Sequence, residues 1–426
     1  MKLASTILGK STFTALRLLG RTGSAFPGLV VEKADSKYLA DMLQQLPQGV
    51  IIVSGTNGKT TTTKLIVALL RAQGLRVLTN PTGSNFVRGI ISAVVDKASW
   101  VGELAYDIAV FEQDEAHAVH FTRHVSPKGV VVLNIMRDQM DRFGEIDTTK
   151  RMLQKLVDAA SSWVVLNAND ERVGSLKVST GVFRAWFGHD SGLQKLFLTD
   201  DQLYHGESVA FFEAHTPDVL LSRFTEKNIT FHSNGSLQHY SYALQGSHNA
   251  LNAAAAFTVL RQVIPDYDPE KAATAFAAVR PAFGRGEVVL LPNGQEVTLQ
   301  LIKNPGGFTQ ALRMLELKPY DTVGIAINDD YPDGRDVSWL WDVSFSAIKT
   351  PVLCGGDRAA DMANRLKYDE VGTAGVCSDL VAFVSEFNQL TNKNGGAAIL
   401  YCTYTAMRRI RRLYLGTKSG LDEENI

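Results

Sequence analysis

The chain of 426 residues is 45% hydrophobic and 20% charged, a balance that excludes a disordered or membrane-embedded chain and suggests two or three domains. Its formal net charge of -1 gives no global field to recruit nucleic acid or an anionic membrane, so any bound anion must be held by a local site. Three cysteines, Cys354, Cys377 and Cys402, are odd in number, far apart and without paired metal-ligand spacing, which fits a reducing, cytoplasmic compartment.

The first 28 residues mix basic and apolar side chains, and Lys10, Arg17 and Arg21 interrupt every apolar run, which argues against an export signal. They read as a basic amphipathic helix packed on the first domain, with at most peripheral contact at the inner face of a membrane. No later segment approaches the roughly 20 apolar residues needed to span a bilayer. The β-branched run Val50–Val53 predicts a buried parallel strand, and a helix is expected over Thr60–Gln73. Leu75–Thr79, Ile108–Phe111, Gly129–Leu133 and Trp163–Leu166 repeat the strand pattern, with a helix over Thr148–Ala160, so an α/β domain with a parallel sheet is expected.

Between about 180 and 245 the texture becomes polar and alternating. Val219–Phe224, Asn228–His232 and Leu237–Leu244 read as antiparallel strands of an extension to this domain. Helices follow at Ser247–Val263 and Pro269–Val279, and Arg280–Glu287 reads as a turn into a hairpin around Pro292, Asn293 and Gly294. A second βα series then begins: Val297–Ile302, a helix over Phe308–Leu315, Thr322–Ile327, Pro351–Leu353 and Ala397–Tyr401. The domains are therefore expected at 1–295, with a lead-in over 1–45, and at 296–426.

The strongest chemical signal is Ser54-Gly55-Thr56-Asn57-Gly58-Lys59-Thr60-Thr61-Thr62, placed after a strand and before a helix. There, backbone N–H groups close around phosphate oxygens, the helix amino end adds positive dipole, and Lys59 neutralises charge. Thr60 or Thr61 can ligate Mg²⁺. A strict P-loop requires a further glycine where Val53 stands, so this is a shortened variant. At the end of the Ile108–Phe111 strand, Glu112, Asp114 and Glu115 form an acidic cluster on the edge where parallel sheets bind ligands.

The Gly-Thr-Asn-Gly-Lys-Thr-Thr-Thr loop resembles the Mur ligase superfamily, which implies a central ATPase domain followed by a C-terminal Rossmann-like α/β domain. The resemblance implies ATP binding by Gly55, Thr56, Asn57, Gly58, Lys59, Thr60 and Thr61, and Mg²⁺ binding by Thr60 and Glu112. Magnesium keeps water and phosphate ligands, so one carboxylate and one threonine suffice. The block from Asn134 to Gly144 is similar to a superfamily pattern, with Gln139 where members that add amino acids carry a histidine. Asn167, Asn169 and Asp170 mark a loop that lies near the nucleotide in relatives. Gly246–Ala254 matches the superfamily's helix start, where Asn249 or Asn252 suits an adenine edge and His248 is a cap, a core residue or a ligand contact. Arg285 and Lys303 match phosphate-contacting positions.

Phe26-Pro27-Gly28, Gly83-Ser84-Asn85 with Arg88-Gly89-Ile90, Lys303–Phe308 and above all Asn328–Asp342 are similar to the MurT family within that superfamily. This implies a synthetase subunit that works with a GatD-like glutaminase. Such a subunit converts the D-glutamate α-carboxylate of lipid II to an amide through an acyl phosphate, which ammonia then attacks. It also implies that an aspartate, placed here at Asp336 with Asp333 and Asp342 as neighbours, completes the glutaminase's Cys/His pair. Trp339 and Trp341 read as packing or interface residues. Many family members carry a four-cysteine zinc ribbon; with no cysteine before Cys354, none is expected here. The competing readings are another ligase of the superfamily, adding an amino acid to a UDP-linked precursor or glutamate to a folate, and a non-catalytic ATP-binding scaffold for a glutaminase.

Overall fold

Short apolar or alternating runs form the strands of two sheets in the computed structural model. The model describes residues 2–18, 25–80, 86–136, 146–197, 211–225, 227–242, 244, 246–280, 284–291, 294–317 and 319–416. The motif positions Gly83, Ser84 and Asn85, residues 137–144 including Gln139, residues 281–283, and the turn residues Pro292 and Asn293 lie outside the described residues.

The first sheet contains β1 (Val50–Ser54), β2 (Val77–Thr79), β3 (Ile108–Glu112), β4 (Gly129–Val132), β5 (Trp163–Asn167), β6 (Phe183–His189), β7 (Val219–Phe224), β8 (Asn228–Ser233) and β9 (Ser236–Ser241), in the order β2-β3-β1-β4-β5-β6-β7-β8-β9. Alternation along β1 sends Ile51 and Val53 into one core and Val50 and Ile52 into another. Helices Lys59–Ala72, Ser247–Val263 and Pro269–Ala278 cover the first of these faces, and Phe26–Ala34, Tyr38–Leu43, Val87–Lys97 and Ile146–Asp158 cover the second. Burial on both faces is why these strands read as continuous apolar runs.

The three strands expected between 219 and 244 form with the expected antiparallel pairing, β7 with β8 and β8 with β9, and β6 ahead of them is a strand that the sequence pattern did not mark. β6 runs parallel to β5 with Phe183 opposite Trp163, and β7 runs parallel to β6, so both extend the parallel sheet. From β7 the chain returns antiparallel, β8 against β7 and β9 against β8, the last pair through a tight turn with positive φ at Asn234 and Gly235. Alternation reports which face a side chain takes; it carries no strand direction, which the intervening connection sets.

The second sheet contains β10 (Arg285–Leu290), β11 (Glu296–Leu301), β12 (Thr322–Ala326), β13 (Val352–Gly355), β14 (Thr373–Cys377) and β15 (Ala398–Cys402), in the order β10-β11-β15-β12-β13-β14. β10 pairs antiparallel with β11, so the strand 285–290, placed before the boundary expected at 295, joins this sheet. Helices Pro305–Leu317 and Ala359–Tyr368 pack on one face, and Leu380–Asn394 and Tyr404–Leu415 on the other.

The amino-terminal helix Lys2–Leu18 packs on the first domain, as its pattern predicts. Ser5 Oγ donates to Asp35 Oδ2 at 2.9 Å, Thr6 Oγ1 and Tyr38 OH share a hydrogen bond of 3.1 Å, and Gly9 lies tight against Val31 and Val95. No helix of the described residues is long and apolar enough to cross a membrane.

Candidate active site

The phosphate loop is Gly55–Gly58, between β1 and helix Lys59–Ala72. Two of its glycines are required by their surroundings. Gly55 has φ +130, and a Cβ there would sit 3.0 Å from the Asn134 backbone; Gly58 has φ +89, and a Cβ would sit 2.4 Å from Asn252 Oδ1. Gly58 is the residue before the helix, and no side chain caps its first turn, which is the arrangement of an anion-binding helix terminus.

Asparagines hold the loop in shape. Asn57 N–H donates to Asn134 Oδ1 at 2.8 Å and Asn134 Nδ2 donates to Asn57 O at 3.0 Å, closing a two-bond clamp. Thr56 N–H donates to Asn134 O, and the Thr56 hydroxyl accepts from Met136 N–H at 3.0 Å. Asn304, which begins the helix after β11, donates from Nδ2 to Asn57 Oδ1 at 3.0 Å, so the second sheet's first helix is tied directly to the loop.

Lys59 is buried, with 6% exposure, and its ammonium donates to Gly55 O and Thr56 O inside the loop while facing Glu115 at 3.7 Å. Thr60 Oγ1 donates to Glu112 Oε1 at 2.9 Å, so the two expected metal ligands are already adjacent. The backbone of Glu112 is fixed by Asn80, which accepts from Glu112 N–H and donates to Glu112 O, both at 3.0 Å. These hard oxygen donors, one carboxylate and one hydroxyl, fit Mg²⁺. Thr61 is buried and lines neither of the two neighbouring clefts.

The first cleft, ≈1050 Å³ and open to solvent, lies between the two sheets and is lined by Asn57, Gly58, Asn252, Arg285 and Lys303. The second, on the other side of helix Lys59–Ala72, shares Thr60, Asn80 and Glu112 with the phosphate site. Asn252 stands at the phosphate end of the first cleft, against Gly58. Asn249 is buried at 2% exposure, does not line the cleft and accepts from Asn252 Nδ2, so it is a support inside the helix rather than a cleft residue.

Arg285 leads β10 to the cleft. Burial lowers its pKa, while the Glu112 carboxylate opposes that shift and so favours the charged guanidinium. Its neighbour His248 is pushed down to about 4, by burial first and by Arg285 second, and is therefore neutral at physiological pH. At the far end of the cleft His189 stacks on Phe197 with ring centroids 4.6 Å apart, and burial lowers the His189 pKa. This pair was not singled out by the sequence, and no local pattern marks it.

Asn167, Asn169 and Asp170 do lie at the cleft, and their side chains brace its wall. Asn167 donates to Leu133 O; Asn169 donates to Phe212 O and accepts from His189 N–H; Asp170 accepts from Ile135 and Val173 N–H. Burial raises the Asp170 pKa despite those backbone donors.

The acidic loop after β12 separates into structural and exposed members. Asp333, 4% exposed, accepts from Thr405 N–H at 2.9 Å and from the Thr405 hydroxyl, tying the loop to helix Tyr404–Leu415. Asp336 is exposed and accepts from Ser338 N–H at 2.8 Å; the Ser338 hydroxyl first and its N–H second hold the Asp336 carboxyl below the usual range. Asp342 is exposed too. Trp339 packs edge-on against Phe308, whereas Trp341 is 51% exposed beside Tyr368, with Tyr331 81% exposed nearby in sequence.

Comparison with known proteins follows this division. Residues 53–260 match the Mur ligase middle domain and 301–407 match the MurT ligase C-terminal domain. The chain is 32% identical to the lipid II isoglutaminyl synthase (glutamine-hydrolyzing) subunit MurT of Streptococcus pneumoniae, covering 96% of this chain and 95% of that protein. It is 29% identical to the Staphylococcus aureus protein of that name, over 85% and 87% of the two chains. Among solved structures, MurF ligase from Thermotoga maritima in complex with ADP has a TM-score of 0.65 at 15% identity, covering 92% of this chain and 84% of that one. Mycobacterium tuberculosis folylpolyglutamate synthase complexed with ADP and AMPPCP has a TM-score of 0.62 at 17% identity, covering 89% and 93%. With near full-length similarity to named MurT subunits and both domain models in order, the chain belongs to the MurT family of Mur ligase-fold proteins.

Proposed function

We propose that this chain is the ATP-dependent synthetase subunit that amidates the α-carboxylate of D-glutamate in lipid II to D-isoglutamine, using ammonia released from glutamine by a GatD-like partner. The observation that carries this reading is the convergence of Lys59, the Thr60–Glu112 pair and Arg285 on one braced phosphate loop. The named function of the two MurT subunits compared above supports it.

The two domains, expected at 1–295 and 296–426, would meet just ahead of the β10–β11 hairpin, whose first strand already belongs to the second sheet and delivers Arg285. ATP would lie in the cleft between the sheets, its base toward His189 and Phe197 and its phosphates at Gly55–Thr60, Asn252, Arg285 and Lys303. Mg²⁺ held by Thr60 and Glu112 would neutralise charge on the transferring phosphoryl group. Lys59 leaves the loop carbonyls for phosphate oxygen, and Arg285 supplies a second cation on the opposite wall. The acceptor carboxylate approaches from the Asn80–Glu112 side, opposite the nucleoside, as in-line displacement requires.

An oxygen of that carboxylate attacks the γ-phosphorus, the bond to ADP breaks, and an acyl phosphate forms. Ammonia then adds to the acyl carbon, loses a proton and expels phosphate. A carboxylate refuses ammonia directly, and activation replaces its oxygen with a good leaving group. Glu115, 3.7 Å from the Lys59 ammonium, helps to position it beside the loop.

The partner would dock on the second sheet around Asp336, where Tyr331 and Trp341 are exposed aromatic anchors. Peripheral contact with an anionic membrane is supported by helix Lys2–Leu18. Its exposed positions Leu3, Ile7, Leu8 and Leu18 carry no charge, and four basic residues precede the chain's first acid, Glu32. Leu3→Glu with Ile7→Glu should abolish co-flotation with anionic vesicles; unchanged flotation would remove this contact, and a shift in oligomeric mass would reassign the face to self-association.

Mass spectrometry of lipid II incubated with the protein, MgATP and ammonium tests the central claim. Replacement of OH by NH₂ with ADP release is expected, and glutamine should substitute for ammonium when a GatD-like subunit is present. ATP binding with no product from either nitrogen source would overturn the synthetase assignment.

A further inference from the structure

We propose that a basic cleft beside the amino-terminal lead-in binds the diphosphate of the acceptor substrate; this rests on the function proposed above. The cleft, ≈1000 Å³, lies between the start of helix Val87–Lys97 and the end of helix Glu115–Phe121. Arg88, His117, His120, Arg123 and His124 line it with the ring of Phe86. Among its described lining residues the single carboxylate is Glu32, which accepts from Arg88 Nε at 2.7 Å. Two guanidinium groups therefore face one carboxylate before any imidazole is protonated, and the excess of positive charge is built into the site.

Cationic donors spread around an open cleft suit a multiply charged, tetrahedral anion, because each phosphate oxygen finds its own partner. The amino end of helix Val87–Lys97, including Arg88 in its first turn, contributes the positive end of its dipole. Phe86 meets His117 edge-on with centroids 4.3 Å apart, which fixes the imidazole plane at the mouth of the cleft.

Position connects the cleft to the reaction. Glu115 lies 3.7 Å from the Lys59 ammonium and starts the helix that carries His117 and His120. At about 1.5 Å of rise per residue, His120 stands about 8 Å along the axis from Glu115. Lipid II carries its diphosphate and its peptide carboxylate on two sides of one sugar. With residues spanning about 3.5 Å each, the separation is on the order of 10 Å. An acceptor carboxylate near the Lys59–Glu115 end of this helix and a diphosphate at its His120 end are thus within the span of one molecule. The lead-in helix Phe26–Ala34 closes the cleft through Glu32 and itself packs against helix Lys2–Leu18, the segment placed at the membrane.

The test uses the full chain with ADP saturating, so that the phosphate loop is filled, and inorganic pyrophosphate as the calorimetric probe. Arg88→Ala with Arg123→Ala should weaken pyrophosphate binding about tenfold or more and leave ADP affinity and melting temperature unchanged. Arg88→Lys with Arg123→Lys should retain most of the binding. With amidation as readout, the alanine variant should raise KM for short-chain lipid II about tenfold with little change in kcat. It should leave KM unchanged for the same muramoyl peptide lacking the diphosphate.

Pyrophosphate affinity that ignores the substitutions overturns the site. Pyrophosphate binding that is lost while both acceptors behave alike assigns the cleft to a free anion and overturns its substrate role. Because the calorimetric arm needs no turnover, a wild-type protein that amidates nothing refutes the functional reading without hiding the result for the cleft.

Discussion

Two loops leave the carboxyl edges of the two sheets and use their polar side chains in opposite ways. After β1 the chain turns within Gly55–Gly58, and Asn57, Thr56 and Lys59 are all bonded inward, to Asn134, Asn304, Met136 and the loop's own carbonyls. After β12 the acidic loop runs outward, with Asp333 buried as a brace and Asp336 exposed. The first loop is preorganised to receive a ligand; the second anchors one aspartate so that another can be presented. Chemistry-rich sequence therefore yields a pocket in one place and a solvent-exposed acidic edge in the other, and burial is what separates them.

The comparison breaks most severely if Lys59→Ala is tolerated. That substitution should lower ATP-dependent amidation by about 10³-fold or more while leaving partner binding, measured by co-elution, intact. Retained amidation would mean that the inward-bonded loop is not the phosphate site.

Under the proposed docking, Asp336→Asn should impair glutamine-driven synthesis by about 10²-fold and spare ammonia-driven synthesis, because the exposed loop would act through the partner. Asp333→Ala provides the contrast. It strands the Thr405 N–H and should cost about 2 kcal/mol of stability by chemical denaturation, lowering both activities together. Equal loss of both nitrogen sources in Asp336→Asn would give it a structural role like that of Asp333.

Gly58→Ala should destabilise the protein by about 1–3 kcal/mol and weaken ADP binding, since positive φ and the Asn252 contact both resist a Cβ. Adding Asn252→Ala removes the contact but not the backbone strain, so recovery should be partial. Full recovery would assign the whole effect to the side-chain clash.

The smallest effect is at His248. Its unfolded imidazole titrates near 6.5 and its folded one at about 4, so in that window the unfolded chain binds more protons. Stability is full above about pH 6.5 and falls as pH drops toward 4. The loss should be about 1–2 kcal/mol after allowance for partial exposure, and His248→Gln should flatten the profile of melting temperature against pH. A pH-independent difference between the two proteins would show that the cleft wall is wetter than its geometry implies.

Local sequence determined the elements whose signals are local. Val50–Ser54 is buried on both faces and so reads as unbroken apolar strand, helix Ser247–Val263 follows its alanine-rich periodicity, and Gly55 and Gly58 occur where only glycine fits. The pairing of Thr60 with Glu112 was legible because a loop and a strand end are brought to one edge by parallel β1 and β3. Tertiary structure alone decided what depends on distant partners: the Asn304–Asn57 tie, the hold of Asn80 on Glu112, the His189–Phe197 stack and the parallel course of β6 and β7. It also moved Asn249 into the protein interior and β10 into the second sheet. The physical reason is that periodicity and composition record which face of an element is buried. Strand direction and the meeting of polar groups far apart in the chain are set by how the whole chain closes on itself.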